Sequence, residues 1–324
     1  MPTELNYSKF ISYFLVILFI GVPVLGLITS DLNESTEELS ENQMPKNTYE
    51  SNLGAVDILG ESYLNEAGFQ EGSVKTYSTF ATDEYNGCAI LDDGSVSCWG
   101  SNSYGQLGDG TTSDRNVPTP TSTLGEGRTA TQISAGYNHV CAILNDGSVS
   151  CWGNNWYGQL GDGTGGNYST DEFHRNKPTQ TSSLGTDRSA IAISAGDGNT
   201  CVILDDGSVS CWGTNWAGQL GIGTTGNLFG FQPEHAFRNS PTPVSNATWN
   251  DRTAIGISVG NGFTCAILND GSGSCWGLNE KGQLGDGSGN NIVGQNISIP
   301  GSTTSFGVGK TAVASSSGSN TCVI

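Results

Sequence analysis

Apolar positions follow three different patterns along the 324-residue chain. Residues 10–28, FISYFLVILFIGVPVLGLI, form an almost unbroken apolar run of 19 residues. A helix of that length can span a hydrocarbon core of about 30 Å. Residues 31–75 show no period and hold ten acids and two lysines among many Ser and Asn. That mixture predicts a self-repelling, disordered tether. From residue 77 onward, apolar residues fall in short runs of strand length separated by Asp, Asn and Gly. In Cys141–Thr164, CAIL is one continuous run and SVSCW alternates, with N-D-G between them. A three-residue loop with Gly in third place predicts a hairpin with a type I turn and a G1 bulge.

This stretch returns at 88–111, 201–224 and 265–288, and a fifth copy begins at Cys322 and breaks off after Ile324. First cysteines are 53, 60, 64 and 57 residues apart. Self-similarity at such a period marks a solenoid, propeller or array. Two further signals recur. I-S-x-G comes before the first cysteine at 133–136, 193–196 and 257–260, with a second Ile at 191 and 255, and Arg128-Thr129-Ala130, Arg188-Ser189-Ala190, Arg252-Thr253-Ala254 and Lys310-Thr311-Ala312 stand ahead of it or of its place. Arg-Asn-x-Pro follows the hairpin at 115–118, 175–178 and 238–241. Alternating Ile predicts a strand, and proline predicts an edge strand. Four short strands per unit are the make-up of a propeller blade. The expected fold is all-β: a propeller of 50–60-residue, four-stranded blades, preceded by one apolar helix. Four blades are complete (77–130, 131–190, 191–254, 255–312) and 313–324 begins a fifth, so the sequence reads as a fragment.

Folding the hairpin about Asp146 sets Cys141 opposite Cys151. The same ten-residue spacing joins Cys88 to Cys98, Cys201 to Cys211 and Cys265 to Cys275. Opposed Cα atoms lie about 4.5–5.5 Å apart, within disulfide range. The expectation is four cross-strand disulfides; the alternative is eight small buried thiols. Cys322 is the ninth cysteine, left over by its unfinished hairpin.

The consensus C-A-I-L-x-D-G-S-V-x-C-W-G-x-N-x-x-G-Q-L-G-D-G resembles the repeat of the regulator of chromosome condensation family, over about 250 of the 324 residues. The resemblance implies a β-propeller, usually of seven blades, here of a secreted or surface-anchored prokaryotic type. Two departures stand out: FATDEYNG at 80–87 replaces ISAGYNHV, and Ile222 replaces Asp. The family's best-known role, nucleotide exchange on a small GTPase bound to chromatin, transfers poorly. A resemblance to a secreted bacterial propeller that inhibits β-lactamase-like enzymes is the alternative.

Net charge is −19, with only 12 Lys and Arg, so no clustered basic surface exists to bind a phosphate backbone. The three histidines, His139, His174 and His235, stand at no metal-ligand spacing, and C-x9-C is not a zinc spacing. No G-x-S-x-G elbow is present, and the Gly-rich stretches open no helix. The expectation is therefore no enzyme, no metal, no cofactor and no nucleic acid. Residues 10–28 read as a signal peptide or an uncleaved signal anchor. Either places the repeats outside the cytoplasm, with membrane attachment if uncleaved.

Repetition separates scaffold from function. Trp99, Trp152, Trp212 and Trp276 recur in every unit, as do Leu107, Leu160, Leu220 and Leu284, so they serve packing. The loops ahead of Arg-Asn-x-Pro do not recur: TSD, GGNYSTDEFH and TGNLFGFQPEHAF. They share one blade position and so crowd one face. They carry Tyr168, Phe173, His174, Phe229, Phe231, His235 and Phe237, with Trp156 and Trp216 beside them. Such rings suit a surface that binds an extracellular protein or glycan; the alternative is that they fold back and cap the blades.

Overall fold

The computed structural model describes residues 79–165, 173–226, 236–246, 248–288, 296–306, 310–312, 315–317 and 321–323. The apolar run at 10–28 and the acidic stretch at 31–75 lie outside them. Among the described residues no helix is long and apolar enough to cross a membrane.

Among the described residues eighteen strands form four antiparallel four-stranded meanders and one two-stranded ladder. The first sheet is β1 (Phe80–Thr82), β2 (Asn86–Ile90), β3 (Val96–Gly100) and β4 (Arg115–Pro120). The second is β5 (Ala130–Gly136), β6 (His139–Leu144), β7 (Val149–Gly153) and β8 (Arg175–Gln180). The third is β9 (Ala190–Ala195), β10 (Asn199–Leu204), β11 (Val209–Thr214) and β12 (Phe237–Pro243). The fourth is β13 (Ala254–Val259), β14 (Phe263–Leu268), β15 (Gly273–Leu278) and β16 (Asn296–Ser302). A fifth begins with β17 (Ser315–Ser317) and β18 (Thr321–Val323). The first strands pack side by side in chain order, β1 on β5, β5 on β9, β9 on β13 and β13 on β17. They form the inner wall of the array, and β4, β8, β12 and β16 are the outer edges. Pro118, Pro178 and Pro241 sit in β4, β8 and β12, where a missing N–H breaks no ladder.

The hairpin is as expected. Leu144 N–H donates to Ser148 O (2.9 Å), Gly147 N–H donates to Leu144 O (2.9 Å), and Gly147 takes φ 76°. Asp146 Oδ1 caps the turn by accepting from Ser148 N–H at 3.0 Å. Counting outward from the 144–148 bond, Cys141 and Cys151 fall at a non-hydrogen-bonded pair, where strands approach most closely. All four expected disulfides are present, each with Cα atoms 4.1 Å apart.

Sheets with a neighbour on either side are covered on both faces. Every residue of β6, β10 and β14 is consequently buried, and the middle strand reads CAIL, not as an alternation. The inner strands depart from the expected alternation. Ala190 pairs with Leu204 and Ala192 with Ile203, so Ile191 is a bulge residue, and Ile255 has the same place in β13. The bulge turns both to solvent, 47% and 53% exposed.

The remaining repeated residues hold blade to blade. G-Q-L-G of each of the first three blades is a wedge laid onto the next one. Leu107 packs with Ile133, Val140 and Trp152, Gly110 N–H donates to Asn176 O (2.7 Å), and Asn176 Nδ2 donates to Gly110 O (3.0 Å). Asn239 repeats both bonds with Gly163, at 2.8 and 2.9 Å. On the opposite face, Ala130, Ala190, Ala254 and Ala312 donate to the hairpin glycine of the preceding blade at 2.8–2.9 Å. The Ser of I-S-x-G adds an inner tie: Ser134 Oγ accepts from Ala195 N–H (2.9 Å) and Ser194 Oγ from Val259 N–H (3.0 Å).

Trp152, Trp212 and Trp276 are fully buried at these junctions. Trp99 is not, which corrects the expectation that all four play one part. Among the described residues no G-Q-L-G wedge precedes the first blade, so the ring is half-exposed and rests on Phe80 at 5.7 Å.

Candidate functional site

The antiparallel meander puts the turns after the first strands and the loops after the third strands at one end of every blade, here called the loop face. The Asp-Gly hairpins lie at the other end. There Arg128–Asp146 (3.0 Å), Arg188–Asp206 (2.8 Å) and Arg252–Asp270 (3.1 Å) are exposed pairs within single blades, so the repeated basic residue is scaffold.

At the loop face one buried Asn per blade organises the backbone. Asn155 Oδ1 accepts from Leu160 N–H (3.0 Å), while Nδ2 donates to Asp162 and to Thr164 O and Oγ1 (3.1–3.3 Å). Asn102 and Asn279 do the same for Leu107 and Leu284. Asp162 and Arg175 then close the base of the variable loop at 2.8 Å, as Asp109 and Arg115 do at 2.6 Å. Ile222 replaces the aspartate in the third blade. The chain between tied ends is free to vary in length and sequence.

The structure brings Trp156 and His174 together and adds a residue the sequence reading missed, Tyr104 of the preceding blade. Ring centroids are 5.0 Å apart for Tyr104–Trp156, 5.2 Å for Tyr104–His174 and 5.5 Å for Trp156–His174. The two tyrosine contacts are edge-on, the geometry aromatic quadrupoles favour. His174 Nδ1 accepts from Asn155 N–H (3.1 Å), which fixes its ring. The Trp156 Nε1–H is buried and has no acceptor among the described residues. All three side chains are half-buried, so they neither stand free nor vanish beneath the loops. Tyr104 was visible as a signal: it aligns with Tyr157, Ala217 and Lys281, a position that differs from blade to blade.

Phe173 is half-buried, its carbonyl accepting from Arg175 Nη1 (3.1 Å). Phe237 opens β12, half-buried and paired with Thr214. Trp216 lies over Gly262 of the next blade, where a Cβ would meet its ring at 3.3 Å. It is therefore remote in sequence position from the Tyr104 cluster and covers a different junction. Tyr168, Phe229, Phe231 and His235 fall outside the described residues.

Nearer the inner strands the same face carries exposed Tyr85 and Tyr137, edge-on at 6.2 Å. Glu84 hydrogen-bonds the Tyr85 phenol and pushes its pKa up. Asp197 reaches solvent, yet crowding removes enough water to push its carboxyl up, and the Glu84 charge adds to this. The mouth of the array is thus acidic and aromatic. Among the described residues no three His, Cys, Asp or Glu side chains gather as a metal site.

Comparison with known proteins gives one consistent result. The regulator of chromosome condensation (RCC1) repeat model matches residues 93–143, 146–203 and 206–267, together more than half of the chain. A second RCC1 repeat model matches 130–159, 190–219 and 254–283. The Arabidopsis thaliana ultraviolet-B receptor UVR8 is 31% identical over 199 residues, covering 61% of this chain and 40% of its own length. Human HERC4, a probable E3 ubiquitin-protein ligase, is 31% identical over 208 residues, 64% of this chain and 18% of its own. Among solved structures, human WBSCR16 superposes with TM-score 0.62 at 22% identity, over 79% of this chain and 59% of that one. Prp20p of Saccharomyces cerevisiae gives 0.61 at 19%, over 78% and 56%. The chain thus spans less than two thirds of the length of these relatives.

Proposed function

Because the chain belongs to the regulator of chromosome condensation repeat family, with its β-propeller blades, we infer that it works as a non-catalytic scaffold and takes a protein partner on its loop face. The observation that carries this is the unrepeated Tyr104–Trp156–His174 cluster, built across a blade junction from a loop whose base is tied. Everything repeated is accounted for by packing, and this cluster is not. Half-buried aromatic rings are the anchors a partner surface uses. The family supports binding as the mode of action: the Prp20p structure is described with its binding to Gsp1p and histones. Phe173 and Phe237 border the same face, and Tyr168, Phe229, Phe231 and His235 belong to its loops.

The site of action we infer is outside the cytoplasm. The apolar run at 10–28 supports it, as do four cross-strand disulfides, which persist in oxidising compartments. Fractionation of cells that make the protein tests this. For the face itself, a photo-crosslinker placed at Ser103 of the full chain captures the partner. Tyr104→Ala and His174→Ala are then each expected to weaken binding tenfold or more, with the melting temperature nearly kept. Unchanged affinity with a lowered melting temperature would make the cluster a cap. Capture of a glycan would correct the class of partner.

A further inference from the structure

Five Asn-x-Ser/Thr triplets without a central proline occur in the sequence, starting at Asn6, Asn33, Asn167, Asn246 and Asn296. Such a triplet accepts an N-linked glycan when it stands on a surface loop of a chain outside the cytoplasm. Asn246 and Asn296 belong to the described residues, and the fold treats them oppositely.

Asn296 opens β16, opposite Leu278. It is half-buried, and its Oδ1 is fully buried. Ser298, the third residue of that triplet, is locked to the third blade. Its carbonyl accepts from Gly223 N–H (2.8 Å), and its Cα would stand 2.8 Å from a Cβ placed on Gly218.

Asn246 lies on the hairpin face, in the turn from β12 to β13. The turns after the first two sheets have Thr123 and Ser183 at this place, where each hydroxyl accepts from the glycine N–H two residues on, at 3.0 and 3.1 Å. The third-blade turn is one residue longer and is held differently. Trp249 N–H donates to Asn246 O (2.9 Å), the buried Trp249 indole donates to Ser274 Oγ (3.0 Å), and Arg252 Nε donates to Trp249 O (2.6 Å). These bonds anchor the turn through its backbone, Trp249 and Arg252. Asn246 itself is exposed, and nothing among the described residues bonds its side-chain amide. Thr248 Oγ1 donates to Pro300 O (2.6 Å), in a strand synthesised 52 residues later. The hydroxyl that the triplet must present is therefore available until the fourth blade closes.

Building on the reading that the protein acts outside the cytoplasm, we propose that Asn246 carries an N-linked oligosaccharide and that Asn296 stays bare. Transfer takes place before the fourth blade closes. The donor is an oligosaccharide joined through pyrophosphate to a lipid. Asn246 Nδ2 bonds to C1 of its first sugar, the C1–O bond to pyrophosphate breaks, one amide proton passes to a base, and the lipid pyrophosphate leaves. No oxidant or reductant is needed. The glycan covers the hairpin end of the third blade and leaves the loop face, at the opposite end, open to a partner.

The test uses the full chain, purified from whichever fraction of the producing cells contains it, digested with trypsin and read by glycopeptide mass spectrometry. Peptide 239–252 holds the Asn246 triplet alone, and 282–310 holds the Asn296 triplet alone. Most copies of 239–252 are expected to carry a sugar mass on Asn246, and copies of 282–310 none. Asn246→Gln and Thr248→Ala should each remove that mass, whereas Thr248→Ser should keep it. Bare Asn246 on protein recovered outside the cytoplasm would overturn the proposal and leave the location standing. Protein recovered only from the cytoplasm would overturn both. A sugar on 239–252 that survives Asn246→Gln is linked through a neighbouring hydroxyl and would overturn the proposal, as would an occupied Asn296.

Discussion

His139 offers a direct test of how the second and third blades lock together. Its imidazole is fully buried, with Nε2 3.0 Å from Thr200 Oγ1. Burial pushes its pKa down to about 4 from the ordinary 6.5. The unfolded chain takes up the proton near pH 6.5, while the folded chain resists until about 4. Between those values the unfolded state holds more protons, so acid weakens the fold. At about 1.4 kcal/mol per pKa unit, the drop amounts to about 3 kcal/mol lost by pH 4. The third blade has Asn199, fully buried, at the equivalent position, so His139→Asn is a change this fold already accepts. Urea unfolding of both proteins from pH 7 to 4.5, at fixed ionic strength with disulfides intact, gives the comparison. The parent should lose roughly 2–3 kcal/mol relative to the variant over that range. Carboxylates do not confuse the window. Serine hydrogen bonds hold Asp146, Asp206 and Asp270 below their ordinary values, Asp270 at about 2, so their contributions disappear only below about pH 4. Asp197 shifts the other way but is common to both proteins. A difference between parent and variant that stays flat with pH would refute the account of His139 as a buried neutral base.

Other outcomes follow from the same junctions. Trp152→Phe strands the buried Gln106 carbonyl and opens space, and should cost about 2–3 kcal/mol in denaturant unfolding, whereas half-exposed Trp99→Phe should cost under about 1 kcal/mol. Intact mass of the protein without reductant should fall short of the reduced mass by eight hydrogens, two for each of the four disulfides, and leave one thiol to alkylate. Replacing Cys141 and Cys151 by Ser should lower stability by about 2–3 kcal/mol, the cost of freeing so short a loop; an unchanged midpoint would show that packing alone holds the hairpin. Arg175→Met leaves the nearly buried Asp162 carboxylate without its cation and should destabilise by about 1–2 kcal/mol, more than Arg188→Met, whose partners are exposed.

Much of the architecture was legible because its rules are local. A ten-residue cysteine spacing around Asp-Gly fixes which residues face each other, and the disulfides follow. Proline in Arg-Asn-x-Pro marks the outer strand by chemistry alone. The bulge that expels Ile191 and Ile255 was not legible, since it depends on where Leu204 and Leu268 sit on the adjacent strand. Trp99 misled for a similar reason: its residue type repeats, but its surroundings depend on a neighbour. The aromatic cluster was half legible. His174 and Trp156 declared themselves by not repeating, while Tyr104 joins them only because the wedge of one blade lies against the loop of the next.

The ion pair at the base of the variable loop has a consequence for how such a chain can change over generations. Asp109 and Arg115 are six positions apart, and Asp162 and Arg175 thirteen, yet each pair closes the same gate onto an outer strand that starts at the same height. Insertions or deletions inside that gate leave the ladder register and the neighbouring wedge untouched. A lineage can therefore lengthen, shorten or exchange what is displayed there without re-solving the folding problem. The costly mutations are confined to the few residues that every blade must keep.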